Sequence, residues 1–478
     1  MVSGSGSTFR LEPRVLRTVT PGHKFPTAFA WSYPVHPTRA PHMETTFVFN
    51  TFSFLVLGAL VMWMCAGFTA LEAGSVKTKN AAVICLKNIG LYSIAGIAYF
   101  VLGYNLMYGA NDFLPGFLGD IRLGYGPSEA ERMLGSDEGA VADVASQGAS
   151  QLSNWFFQMV FVATTASIVS GALAERVKLW SFFVFTAVLT TVIYPIIGSW
   201  TWGGGWLAGL GSGEFFETGF SDFAGSTIVH STGGWAALAG VMVVGARHVK
   251  FRKDGSVRVT PPSNIPLVTL GVFILWLGWF GFNGGSMLAL GSVQDAVGMS
   301  NVIVATNLAA AAGVLTAILV SRPILGRLDL FAVLNGAIAG LVSITAAPDL
   351  PDQTWAILIG AIGATICTAG LKLLEILKLD DVVGAIPAHL MAGVWGTIAA
   401  AIWGGADFLA QVIGILSIGA FVFATSFAVW KILDLTMGVR VSRQAEQIGQ
   451  DAAELGIDAY PEFVIMADPE EFDDEGDD

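Results

Sequence analysis

The chain has 478 residues, of which 54% are hydrophobic and only 13% charged, and its mean hydropathy is +0.64. An average soluble domain is about one quarter charged, so this composition points to lipid as the solvent. The net charge of -13 comes largely from loops and from the terminal stretch DPEEFDDEGDD, which argues against a nucleic-acid partner.

Residues 1–42 contain no long apolar run and are expected to be a disordered leader, or a non-native start upstream of Met43. Beyond them, apolar runs of about 20 residues, the length a helix needs to cross a hydrocarbon core, recur along most of the chain. Their continuity excludes a membrane β-barrel, whose strands alternate apolar and polar residues. Spans are expected at about 47–71, 82–108, 152–173, 179–200, 225–245, 265–289, 300–320, 331–347, 354–377, 384–403 and 407–436. The expected fold is therefore an all-α membrane protein with eleven transmembrane helices in one domain over 43–438, followed by a polar tail over 439–478. The segment from about 109 to 150, rich in Gly, Ser, Asp and Glu, reads as a solvated external loop.

Basic residues orient the chain. Lys77, Lys79, Arg176, Lys178, Arg247, Lys250, Arg322 and Arg440 fall in one set of loops, whereas the alternate loops carry only Arg122 and Arg132. The positive-inside rule then puts the tail in the cytoplasm and the start of the first span outside, as in a multi-pass plasma-membrane protein. Cys65, Cys85 and Cys367 each lie in an apolar run without a second ligand at metal spacing, so they read as small buried hydrophobes. No nucleophile with a paired base, phosphate loop or metal cluster is evident, and neither an enzyme nor a cofactor is expected.

Two segments share one spacing. DFAGSTIVHSTGG places Asp222, His230 and Gly234, and DVVGAIPAHLMAG places Asp381, His389 and Gly393, in the pattern D-x7-H-x3-G. They fall in spans five and ten, so the copies cross in opposite senses. That is the signature of a 5+5 inverted repeat, with halves at about 47–245 and 265–403, a final helix at 407–436, and a site near the midplane between the halves. Of the six histidines, only His230 and His389 lie inside apolar runs. An ionisable group there is costly unless it lines a polar path or finds a partner, so the pair is the leading functional candidate. Asp222 and Asp381 begin their motifs near opposite faces, where a capping role fits them best. Trp279, Phe282 and Ser286 fall on one helical stripe, Phe157 and Phe161 repeat an i, i+4 relation, and Trp202 stands in a glycine-rich turn. Aromatics in such positions ordinarily serve as core or lipid belt.

The stretches EAGSVKTKN at 72–80, GALAERV at 171–177, WGGG at 202–205, DFAGSTIVH at 222–230, GWFGFNGGS at 278–286, DDVVGAIPAHLMAGVWGT at 380–397 and GVRVS at 438–442 resemble the ammonium transporter family in order and content. The resemblance covers about 47–460. It implies a homotrimer with one narrow pore per subunit. It further implies that Trp202, Phe161 and Ser286 form an external cation site, that Phe161 and Phe282 form a stacked gate, and that Phe157 and Trp279 line the surroundings. His230 and His389 would be the twin histidines of the pore, with Asp222 shaping the external site without touching substrate. The tail resembles a cytoplasmic region that contacts neighbouring subunits and PII-type signal proteins, although GQD stands at 449–451 where Gly-Leu-Asp is usual. The expected function is ammonium or ammonia transport across a lipid bilayer. The alternative is an ammonium sensor that signals through its tail with little flux.

Overall fold

The computed structural model describes residues 40–109, 114–136, 139–212, 216 and 218–463. The expectation for the leader falls almost wholly outside the described residues. Among the described residues the chain is helical without a named strand, and its long helices are α1 (Ala40–Ser75), α2 (Thr78–Tyr108), α3 (Gln151–Ala172), α4 (Leu179–Trp200), α5 (Ser226–Val244), α6 (Ile265–Gly285), α7 (Val293–Leu325), α8 (Leu330–Ile344), α9 (Thr354–Ile376), α10 (Ile386–Trp403) and α11 (Phe408–Thr436). Ten of these eleven positions have helices long and apolar enough to cross a membrane, whereas α8 has only fifteen residues. Where a span was expected over 331–347, the helix stops at Ile344, and the next residues turn to serve a loop. The carbonyls of Thr345 and Ala346 accept from the N–H groups of Ala224 and Phe223 at 3.0 and 2.9 Å.

Side-chain oxygens start several of these helices by accepting the N–H groups that a first turn leaves open. Asn264 caps α6, Asp329 caps α8 and Asp407 caps α11, while Ser292 and Asp295 form a reciprocal capping box on α7. Lipid-side packing needs small residues, because apolar side chains gain nothing by leaving a lipid for a helix. At Gly271 of α6 a β-carbon would lie 2.5 Å from the Leu71 nitrogen, so α1 and α6 meet backbone to backbone. Outward-facing aliphatics such as Ile89, Ile97, Leu315, Leu319 and Leu416 are more than half exposed, a belt that only lipid or another apolar surface can cover. Cys367 is buried, but Cys65 is half-buried and Cys85 faces outward, so the expectation of three buried thiols holds for one.

The expected solvated loop is in fact partly folded. Helices Glu129–Arg132 and Ala140–Ser146 lie within it, the first closed by a Ser128/Glu131 capping box. Tyr125 packs on Tyr104 with ring centroids 4.1 Å apart, and Asn105 Nδ2 donates to the carbonyls of Arg122 and Gly124.

At the opposite end of the bundle, which we call the tail face, buried charges tie the helix ends together. Arg247 binds Asp380 through Nε and a terminal nitrogen at 2.8 Å each and also reaches Glu175. Arg176 donates to the carbonyls of Ala172, Ala174, Gly245 and Asp380. The tail docks here rather than hanging free. Lys178 and Val441 exchange backbone hydrogen bonds with Val439 and Arg176, and a short helix, α12 (Arg443–Ile448), follows.

Candidate functional site

The two copies of the D-x7-H motif fold alike. In the first, Gly225 adopts φ 110°, a left-handed value that glycine alone reaches easily, and residues Ser226–Ser231 wind as a π-helix before α5 becomes regular. In the second, Gly384 at φ 74° precedes the π-helix Ile386–Met391 at the start of α10. Such starts leave several N–H groups open, and each motif's aspartate collects them. Asp222 accepts from Gly225, Ser226, Thr227 and Ile228 at 2.8–3.1 Å. Asp381 accepts from Val383, Gly384 and Ile386 at 2.7–3.3 Å. Burial pushes the Asp222 carboxyl up to about 6, although its four N–H bonds pull the other way, and burial raises Asp381 as well.

These two starts lie at opposite ends of the bundle. Asp222 lies at the end away from the tail face, an end we call the mouth, where its carbonyl accepts the Trp202 indole N–H at 2.9 Å. Asp381 belongs to the tail face, next to Asp380 and its arginines. From these ends the π-helices run inward and bring their histidines together, with Nδ1 of His230 and Nδ1 of His389 3.2 Å apart and the rings stacked at 28°. Both rings are buried, and among the described residues Nε2 of His230 meets no hydrogen-bond partner. A contact between two ring nitrogens requires one to donate and the other to accept, so the pair shares a single proton at that contact.

Aromatic rings continue the line toward the mouth. His230 stacks on Trp279 at 4.8 Å and on Phe282 at 5.2 Å. Phe282 lies 4.0 Å from Phe161, which meets Trp202 edge-on at 6.0 Å. Phe157 sits behind Phe161 at 4.9 Å, and Ser286, at the end of α6, donates its hydroxyl to the Phe282 carbonyl at 2.8 Å. The bond from Ser286 leaves its oxygen lone pairs free to accept. Trp279 is fixed by its indole N–H on Thr345 Oγ1 at 2.9 Å. On the other side of the pair, Phe68 lies 6.4 Å from His389. His389 also lines a narrow cavity together with Phe68, Glu72, Ser167 and Asn335.

Sequence reasoning singled out the rings but not Phe68, Glu72, Thr345 or Lys87. The signal for Lys87 was present, since it stands well inside the expected span 82–108, where a charge asks for a partner. Thr345 and Phe68 carry no such mark.

The chain matches the Ammonium Transporter Family over residues 52–460. It is 40% identical over 452 residues to the ammonium transporter Amt2 of Archaeoglobus fulgidus, covering 89% of this chain and 90% of that one. A putative ammonium transporter of Synechocystis is 38% identical, covering 86% and 89%. Among solved structures, a sensor Amt protein superposes with a TM-score of 0.75 at 32% identity, covering 86% of this chain and 98% of that one. Candida albicans Mep2 superposes with a TM-score of 0.70 at 27% identity, covering 86% and 90%. With its multi-pass helical body and a match over most of its length, the chain belongs to the ammonium transporter family.

Proposed function

We propose that this protein carries ammonium across the plasma membrane as a homotrimer with one pore per subunit, the mouth outside and the tail in the cytoplasm. The observation that carries the reading is the unbroken line of rings from Trp202 through Phe161 and Phe282 to His230 and His389. Ammonium is a compact cation, and burying it unpaired in hydrocarbon costs far more than one contact returns. Capture at the mouth is therefore electrostatic. The faces of Trp202 and Phe161 each attract a cation by about 0.5–2 kcal/mol, and Ser286 Oγ accepts one of its N–H bonds.

These terms support weak capture and not dry passage of the ion. Deprotonation near the Phe161–Phe282 gate resolves the conflict, because neutral ammonia passes apolar walls and two neutral imidazoles at little cost. Asp222 acts at one remove, holding the Trp202 indole through its carbonyl. The proton either crosses on the imidazole pair or returns to the mouth, and a current distinguishes these routes. Solid-supported-membrane recording on purified protein in liposomes tests the whole reading. Ammonium jumps should evoke transport signals that sodium jumps do not, and protein indifferent to ammonium in both current and methylammonium uptake would end it.

A second reading, an ammonium sensor with a signalling tail, draws support from the likeness to the sensor Amt protein and from the docked tail. A PII-type protein is the partner class that the tail would meet. A tail variant that keeps uptake but loses a downstream response would favour this reading.

A further inference from the structure

Between the histidine pair and the tail face lies a second ionisable pair, buried and without a role in the path described so far. Glu72, in the last turn of α1, is fully buried, and Lys87, in the third turn of α2, is 2% exposed. Lys87 Nζ lies 3.6 Å from Glu72 Oε2 and donates to the Ser170 carbonyl at 2.8 Å. Ser170 Oγ donates to the same Oε2 at 2.7 Å. The lysine also sits 5.3 Å from the centre of the Phe182 ring.

Among the described residues, oxygen Oε1 of Glu72 meets no hydrogen-bond donor. Asn88 stands beside the carboxylate but turns its Nδ2 to the Ile84 carbonyl at 3.1 Å. A buried carboxylate oxygen without a donor is costly, and native proteins keep few of them. This one has a reason to be left open, since Glu72 and His389 line the same cavity. That cavity has a volume of about 20 Å³, enough for one or two molecules the size of water or ammonia.

We propose that Glu72, paired with Lys87, is the proton acceptor that follows His389 on the tail side. This deepens the transport reading and rests on it. The imidazolium of His389 gives its proton, across a small molecule in the cavity, to the Glu72 carboxylate, leaving neutral His389 and a carboxylic acid. That acid then protonates an emerging ammonia, giving ammonium and restoring the carboxylate. Each step moves one proton and needs no other reactant. Lys87 keeps its hydrogen bond to Ser170 throughout and compensates the charge whenever Glu72 is ionised.

The experiment uses the full chain in liposomes and reads two signals after an ammonium jump: charge moved, by solid-supported-membrane recording, and total ammonia delivered in both protonation states, by chemical assay of the liposome contents. In Glu72→Gln the charge moved per ammonia delivered should fall about tenfold or more, since a positioned acid or base is lost from the path. A packing role would lower both signals together and leave their ratio unchanged. If Glu72→Gln does not assemble because Lys87 is left buried and unpaired, Glu72→Gln with Lys87→Gln removes both charges and is read in the same way. A wild-type ratio in the variant that assembles overturns the proposal, and so does a proportional loss of both signals. Ammonia delivery without charge in the unmodified protein overturns it too, while sparing the transport reading. Absence of both signals in the unmodified protein sinks the transport reading itself.

Discussion

Helices α5 and α10 start from two copies of one motif, yet their aspartates work in different company. Asp222, at the mouth, accepts four backbone N–H groups and faces an aromatic indole through its carbonyl. Asp381, at the tail face, accepts three, and its neighbour Asp380 is locked to Arg247 and Arg176. One repeat unit thus supplies the same histidine geometry from both sides, while its flanking residue decides what each end does. The mouth end is apolar and aromatic, as the proposed cation capture requires, and the tail end is an ion-pair lattice that braces helices and tail.

The largest expected effect separates these ends. Arg247→Met removes the arginine that bonds both Asp380 and Glu175, leaving Asp380 only Lys250 at 4.0 Å and the nearby Arg176, and should lower stability by about 3–5 kcal/mol in unfolding measured in detergent. A loss below 1 kcal/mol would mean that the lattice contributes little.

Acid should affect the two ends with opposite sign. Burial pushes the Asp222 carboxyl from 3.8 to about 6 in the folded chain, so the native state holds that proton more tightly than the unfolded one. This group therefore stabilises the fold as pH falls from about 6 toward 4, by up to about 3 kcal/mol. Although burial pushes Asp380 up as well, Arg176 and Arg247 more than reverse it and hold the carboxyl well below the usual range. Its contribution is present above the unfolded carboxylate value and is lost as pH falls through the folded one. Melting curves between pH 4 and 7 should flatten over that window in Asp222→Asn, relative to the unmodified protein. Identical slopes would contradict the assignment.

Next come the histidines, where the copies should behave as equals. His230→Ala or His389→Ala should each lower the ammonium current by about 10²-fold or change the transported species. Wild-type currents and methylammonium uptake in both variants would refute the relay, and loss in only one would show that the copies are unequal. The smallest effect belongs to the mouth alone. Trp202→Leu removes the cation–π contact proposed there, of about 0.5–2 kcal/mol, and should raise the half-saturating ammonium concentration by roughly 2- to 30-fold, read from current against concentration.

Much of this contrast was legible before any coordinates. The spacing D-x7-H-x3-G and the scarcity of histidine pointed to His230 and His389, because an apolar run makes every ionisable residue conspicuous. Capping of the two helix starts was also readable in outline. What the spacing does not contain is the π-winding after Gly225 and Gly384, which sets how many N–H groups each aspartate receives. The 109–150 segment looked solvated because its composition is polar, yet Asn105 and Tyr104 of α2 hold it at Arg122, Gly124 and Tyr125. Those are long-range contacts that composition does not carry. Glu72 escaped because it stands just past the expected end of its span, where acidic residues are ordinarily solvated.

The docked tail has a practical consequence for any truncation. Asp451 accepts from the backbone nitrogens of Ala82 and Val83 at 3.0 and 2.8 Å, and Gln450 bonds both Asn80 and the Val177 carbonyl. The segment after the last span is thus a splint that finishes the first turn of a neighbouring helix. Removing it before Gly449 uncaps α2 and disturbs the same turn that leads to Lys87. A cut beyond Phe463 keeps the splint in place and so separates a signalling defect from a loosened scaffold.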